Sequence, residues 1–171
     1  DLHLDHLLVA NIRGFDTPEE HDRVLAENWD STVSPEDVVY LAGDVAINFK
    51  RSKAHEWLRA RPGTIHLISG NHDETHNMRS RSLNAQMNPI WRDTFATIND
   101  WTRLKMLGKS VLISHFPYDG EGDRGIPDRH VEYRLRDEGI PLIRGHTHAR
   151  HRAHASSKGT PMFHVGLDAW D

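Results

Sequence analysis

Apolar positions in this chain follow two rhythms, one suited to helices and one to buried strands. Thr17-Pro18-Glu19-Glu20 opens a helix: Thr17 suits the cap, Pro18 the first helical position, and Glu20 completes a capping box. Val24, Leu25 and Trp29 share one helical face to about residue 32. Ser34-Pro35-Glu36-Asp37 reads as a turn, and Val38-Val39-Tyr40-Leu41-Ala42 as a strand covered on both faces. A second amphipathic helix is predicted from Ser52 to residue 61 on Ala54, Trp57 and Leu58, and Pro62-Gly63 closes it before a strand through Ile65, Leu67 and Ile68. Residues 74–92 read as a polar loop with one short helix. From Thr94 the pattern alternates through Phe95, Thr97, Trp101, Leu104 and Met106, and Gly108-Lys109 makes a hairpin turn before a strand at 110–114. A long loop over 116–129, a short helix over 131–137 and a buried strand at Pro141-Leu142-Ile143 follow. An antiparallel pair at 153–155 and 162–165 ends the pattern, and Leu7 to Ala10 is only a short apolar patch. Strand-helix-strand units first and hairpins later predict an α/β fold of two sheets packed face to face with helices outside.

Composition narrows what such a fold can carry. A length of 171 residues suits one domain spanning 1–171. No apolar run approaches the roughly 20 residues of a membrane helix, and no signal-peptide pattern is present, so a cytoplasmic location is expected. A net charge of −4 argues against broad non-specific nucleic-acid binding, which draws on many Lys and Arg. The chain has no cysteine, so a metal would be held by His, Asp, Glu or Asn. The fourteen histidines are the outlier. The chain begins on Asp1, and a first strand is expected ahead of it. Nothing in the pattern bears on oligomeric state.

Five places carry metal-type donors beside apolar runs and small residues: Asp1-Leu2-His3, Gly43-Asp44, Gly70-Asn71-His72-Asp73, Ser114-His115 and Gly145-His146-Thr147-His148. In α/β sheets ligands bind outside the carboxyl ends of the strands. Asp1 and His3 lie two apart, as do His146 and His148, and in extended backbone that spacing puts both side chains on one face. The mixture of carboxylate, amide and imidazole suits Mn, Fe, Ni or Zn better than Mg or Ca. Asp44 has two oxygens and could bridge two ions held about 3.5–4 Å apart.

These elements, in this order over residues 1 to 148, resemble the calcineurin-like metallophosphoesterase family, and within it the compact bacterial and bacteriophage members without a cap domain. The resemblance implies a two-sheet β-sandwich flanked by helices in α-β-β-α layers, with two divalent ions at the strand ends, manganese first among the candidates. By position, Asp1, His3, Asp44 and His148 would hold one ion, and Asp44, Asn71, His115 and His146 the other. His72 matches the catalytic histidine, with Asp73 to orient it. One departure is visible: the family often shows Gly-Asp-x-x-Asp, but Ile47 stands at the last position.

The chemistry expected is hydrolysis of a phosphoester, with water acidified between the two cations and His72 as general acid. The short intervals between motifs leave no room for a lid. With the habit of the family's compact members that retain this histidine, the resemblance implies a phosphodiesterase acting on nucleotide-like substrates, cyclic nucleotides included. A phosphomonoesterase or protein phosphatase is the alternative, and a non-catalytic scaffold of the same fold the second. His6, Asn11, Arg13 and Tyr118 are candidates to face substrate; Arg79, Arg81, Arg144, Arg150 and Arg152 are further guanidinium candidates for phosphate, each weighed against a plain surface charge. Phe116 and Tyr118 suit a pocket wall or the core. Trp29, Trp57 and Trp101 are read as core or sheet-packing residues, and His76 as a polar surface or supporting group.

Overall fold

The computed structural model describes residues 1–47, 49 and 53–170. Its strands form two sheets. The first is parallel and holds β1 (Val38–Leu41), β2 (Thr64–Ile68) and β3 (Thr97–Asn99) in that order. The second holds β4 (Trp101–Met106), β5 (Lys109–Ser114), β6 (Leu142–Arg144), β7 (Ala153–Ala155) and β8 (Pro161–His164), in the order β4-β5-β6-β8-β7. Only Asp100 separates β3 from β4, so the chain passes directly from one sheet to the other there. Helices flank the sheets, and among the described residues no helix is long and apolar enough to cross a membrane.

Along β1, β2 and β5, burial deepens from an exposed first residue to a buried last one. The carboxyl ends, with Asp44 and His115 just past them, therefore lie inside the molecule, and Asn71 is half-buried. Residues 1–4 extend this arrangement: His3 donates its main-chain N–H to Asp44 O at 3.0 Å and Leu4 to Val45 O at 2.9 Å.

The helix α2 (Pro18–Thr32) begins where the capping residues predict, with Thr17 Oγ1 accepting from Glu20 N at 3.2 Å. Its face carries Leu25 and Trp29 onto the main core, where Leu58 of α3 (Ala54–Arg59) is buried. The predicted start of α3 at Ser52 lies outside the described residues. Trp91 is fully buried and stacked on Phe49 at 4.0 Å. Truncating such a side chain to Ala typically costs about 3–5 kcal/mol.

Several elements depart from the pattern. Leu7 to Ala10 belong to a helix, α1 (Leu7–Ile12), whose single turn and a half buries only Val9 and Ala10. The loop over 74–92 holds two short helices, α4 (Ser82–Gln86) and α5 (Pro89–Arg92). The hairpin turn falls one residue earlier than predicted, on Leu107-Gly108. Both have positive φ (49° and 79°), as the two-residue turns that match strand twist require. The helix predicted over 131–137 is a single 3-10 turn, Val131–Tyr133. It stops because Arg134 is extended and directs its guanidinium to Glu121 at 2.5 Å and Asp128 at 3.1 Å. Trp101 is half-exposed on β4 rather than in the core.

Candidate metal centre

The ends of β1, β2, β5 and β6 deliver Asp44, Asn71, His115 and His146 to one place. Asn71 Oδ1 lies 3.0 Å from His115 Nε2 and 2.9 Å from His146 Nδ1. Three donors that share one ion at about 2.0–2.2 Å stand about this far apart. Asp44 Oδ2 is 3.5 Å from His115 Nε2 on one side and 3.8 Å from His3 Nε2 on the other, where a bridging carboxylate belongs. Donor atoms of Asp1, His3 and His148 all lie within 4.8 Å of one another, and so do those of Asp1, Asp44 and His115. All seven predicted ligands are thus brought together.

The backbone is shaped to achieve this. Asp44 has φ 49°, His3 52°, His146 70° and His148 51°, the left-handed region that non-glycine residues seldom occupy. Such conformations cost on the order of 1–3 kcal/mol each and persist where the surroundings over-determine them. Gly70 is required by close approach, because a Cβ there would fall 2.3 Å from Asp44 Oδ1.

Buried polar atoms without partners test whether this cluster suits a cation. Asp1 Oδ1 and both ring nitrogens of His3 have no hydrogen-bond partner among the described residues, although burying such atoms unpaired is costly. Burial pulls the His3 and His146 pKa values down to about 2 and that of His115 to about 4, so all three imidazoles are neutral, the form that ligates. Burial opposes ionisation of Asp44, but His115, His3 and the His72 N–H hold its carboxyl well below the usual range. Carboxylate oxygens and neutral imidazoles around a buried gap fit divalent cations.

Two carboxylates that the pattern did not reveal stand behind the histidines of residues 146 and 148. Asp168 lies 2.8 Å from His148 Nδ1, leaving Nε2 for an ion. Glu121 approaches His146 Nε2 at 3.4 Å, while His146 Nδ1 faces Asn71. Glu121 is itself clamped by Arg129 and Arg134. His115 bonds Ala42 O through Nδ1 at 2.7 Å, which commits Nε2 to the centre. Phe116 packs edge-on against His115 and His146 and closes one side.

Other sequence-predicted residues take different places. Arg13 is engaged inside the protein: its guanidinium holds Asp168 at 3.1 Å and the carbonyls of Asp1 and Leu2 at 2.9 Å, so it braces the support of His148. Tyr118 is buried in a small core with Leu112, Leu142 and Met162 and donates its hydroxyl to Ile140 O at 2.8 Å, far from a substrate role. Asp73 does not bond the His72 ring. Its fully buried carboxylate accepts from the main-chain N–H groups of Asp44 (2.9 Å), Val45 (3.0 Å) and Gly70 (2.7 Å). His72 stands exposed beside the centre, its ring 5.9 Å from that of His3, and its N–H fixes Asp44 Oδ1 at 2.8 Å. His6 is half-buried with its ring 5.7 Å from His3, and Asn11 is exposed on α1. His76 is buried against Phe116 and Tyr133 rather than on the surface.

Residues 1–150 match the model of one family, described as Calcineurin-like phosphoesterase. The chain belongs to the calcineurin-like phosphoesterases. Among its relatives, the Gene 66 protein of Mycobacterium phage L5 is 38% identical over 182 residues, covering 99% of this chain and 84% of the phage protein. The Gene 66 protein of Mycobacterium phage D29 is also 38% identical, covering 99% and 86%. A solved structure of a protein of unknown function from Aquifex aeolicus, AQ665, shares the fold with a TM-score of 0.66 at 22% identity, covering 98% of this chain and 87% of that one. The family supports a metal-dependent phosphoester hydrolase of compact, phage-type architecture, and the cluster holds the groups that could bind its metal.

Proposed function

We propose that this calcineurin-like phosphoesterase is a phosphodiesterase acting on nucleotide-like substrates with two divalent ions, manganese foremost. The observation that carries the reading is the exposed His72 at the mouth of an open cleft directly beside the ligand cluster. A substituent on the leaving oxygen can extend there instead of being shut out. The ions, when bound, would polarise the phosphate oxygens and make an attacking water more acidic.

The chain's own residues do the rest. Asp1, His3, Asp44 and His148 would hold one ion, and Asp44, Asn71, His115 and His146 the other, Asp44 between them. The neutral state of the buried imidazoles keeps these donors ready without a proton to shed. His72 stands outside this set and donates a proton from its imidazole to the departing alkoxide, a contribution of typically 10²–10⁴ in rate. Its main-chain N–H ties the residue to Asp44 Oδ1 at 2.8 Å.

Turnover of bis(p-nitrophenyl) phosphate and p-nitrophenyl phosphate with Mn²⁺ tests the reading. A higher kcat/KM for the diester is expected, and a strong preference for the monoester refutes it.

A further inference from the structure

Beside His72 lies a cleft of about 870 Å³, bounded by His72, Glu74, Met78, Arg79, Arg81 and Asn84 among others. This is within the roughly 300–1,000 Å³ of small-molecule sites. A general acid must stand within hydrogen-bond reach of the oxygen it protonates, so whatever that oxygen carries extends into the space His72 lines. Two guanidinium groups border the space. Arg79 is anchored to the main-chain carbonyl of Asn71, which places its fork next to a ligand of the metal centre. Arg81 is exposed and makes no side-chain hydrogen bond or ion pair with the described residues. Planar guanidinium groups match phosphate oxygens two at a time.

A second cavity, of about 790 Å³, lies behind His148 and Asp168. It is walled by Phe15, Leu25 and Leu167; of its cations, Arg13 is engaged with Asp168 and Arg152 with Ala169 O and the face of Trp170, while Arg150 is exposed. Its more apolar walls suit an anion less than the polar lining of the His72 cleft does.

We propose that the cleft beside His72 seats the leaving group and selects one carrying a second phosphate, with Arg81 reading that charge. The inference rests on the diesterase reading and names its substrate class. Water adds to phosphorus, the P–O bond to the leaving group breaks, and the leaving oxygen takes the proton of His72. The products are a phosphomonoester and an alcohol bearing the second phosphate.

Two methyl aryl phosphodiesters of matched leaving-group acidity provide the test, one releasing 4-methylphenol and one releasing 4-(phosphonomethyl)phenol, assayed on the Mn²⁺-loaded protein. The wild type should show a KM at least fivefold lower for the phosphonate ester, and 0.5 M salt should erase the difference. Arg81→Gln should raise KM for the phosphonate ester about tenfold relative to the neutral one. Arg103→Gln, on the exposed face of β4, should leave the ratio unchanged. Equal KM values for the two esters, or equal losses in Arg81→Gln, overturn the inference while the diesterase reading stands. Hydrolysis of neither ester overturns both. A dinucleotide with and without a phosphate on its leaving nucleoside identifies the source. Preference within that pair assigns the second phosphate to a nucleic-acid fragment, and preference only within the aryl pair assigns it to a smaller molecule.

Discussion

Asp73→Ala separates two roles that a carboxylate after a histidine could have. In the structure the Asp73 carboxylate receives three buried main-chain N–H groups, from Asp44, Val45 and Gly70. Each buried donor left without an acceptor costs about 1–3 kcal/mol, and water entering the gap recovers part of that. Asp73→Ala should therefore lower the unfolding free energy by about 3–6 kcal/mol, a large share of the whole for a domain. Asp73→Asn keeps one acceptor oxygen, which at the Oδ2 position still serves Asp44 and Gly70 but turns an amide N–H toward Val45 N. Its loss should be near about 1–3 kcal/mol, between wild type and Ala. Burial and the charge of Asp44 push the Asp73 pKa up to about 7, so the amide also relieves a cost of ionisation and keeps the Asn variant well above Ala. Urea denaturation of the metal-free protein gives all three values. If Asp73 instead acted by orienting His72, both variants would unfold like wild type and lose only kcat. That outcome, or an Asn variant less stable than Ala, refutes the clamp.

His72→Ala should retain two ions per chain by metal analysis and lose about 10²–10⁴ in kcat on diesters with alkyl leaving groups. It should lose far less on p-nitrophenyl esters, which depart without a proton, and a full rate on alkyl diesters would remove His72 from its role. Asp168→Asn should weaken metal binding about 10–100-fold in calorimetric titration, since it supports the His148 ring. Unchanged affinity would mean that the 2.8 Å contact does not tune the ligand. Burial, with Arg144 beside it, pulls the pKa of His164 down to about 4, against an unfolded value near 6.5. Between those values the unfolded chain holds a proton that the folded chain does not. The contribution of His164 is complete above pH 6.5 and is lost as the pH falls toward 4. In metal-free protein, His164→Gln should flatten the stability slope in that window by up to about 1.4 kcal/mol per pH unit, and an unaltered slope refutes the assignment.

The seven candidate donors that the fold brings together were legible in the sequence because each lies in a short motif set against an apolar run, a pattern that needs no tertiary information. Their supports were not. Asp168 sits in a 3-10 turn, Leu167–Ala169, with no periodicity, and Glu121 in a loop, so only the folded chain brings them behind His148 and His146. Arg13 and Tyr118 take internal partners for the converse reason. Their polar tips suit a substrate, but the fold supplies Asp168 and Ile140 O as partners first. The α1 helix escaped notice because six residues are too few to show a period. Trp101, read as core or sheet-packing, lies half-exposed on β4, which among the described residues pairs with β5 alone.

The left-handed backbone at His3, Asp44, His146 and His148 changes what removal of a candidate donor means at these positions. His, Asp and Asn tolerate positive φ better than most residues, whereas Ala meets the full Cβ clash of about 1–2 kcal/mol. An alanine there deletes a donor and also penalises the turn that presented it, so a lower melting temperature would overstate the ion's share. Glycine at the same position removes the donor but not the conformation. The difference between the two variants separates coordination from chain geometry, and at these four positions the residue type answers to both.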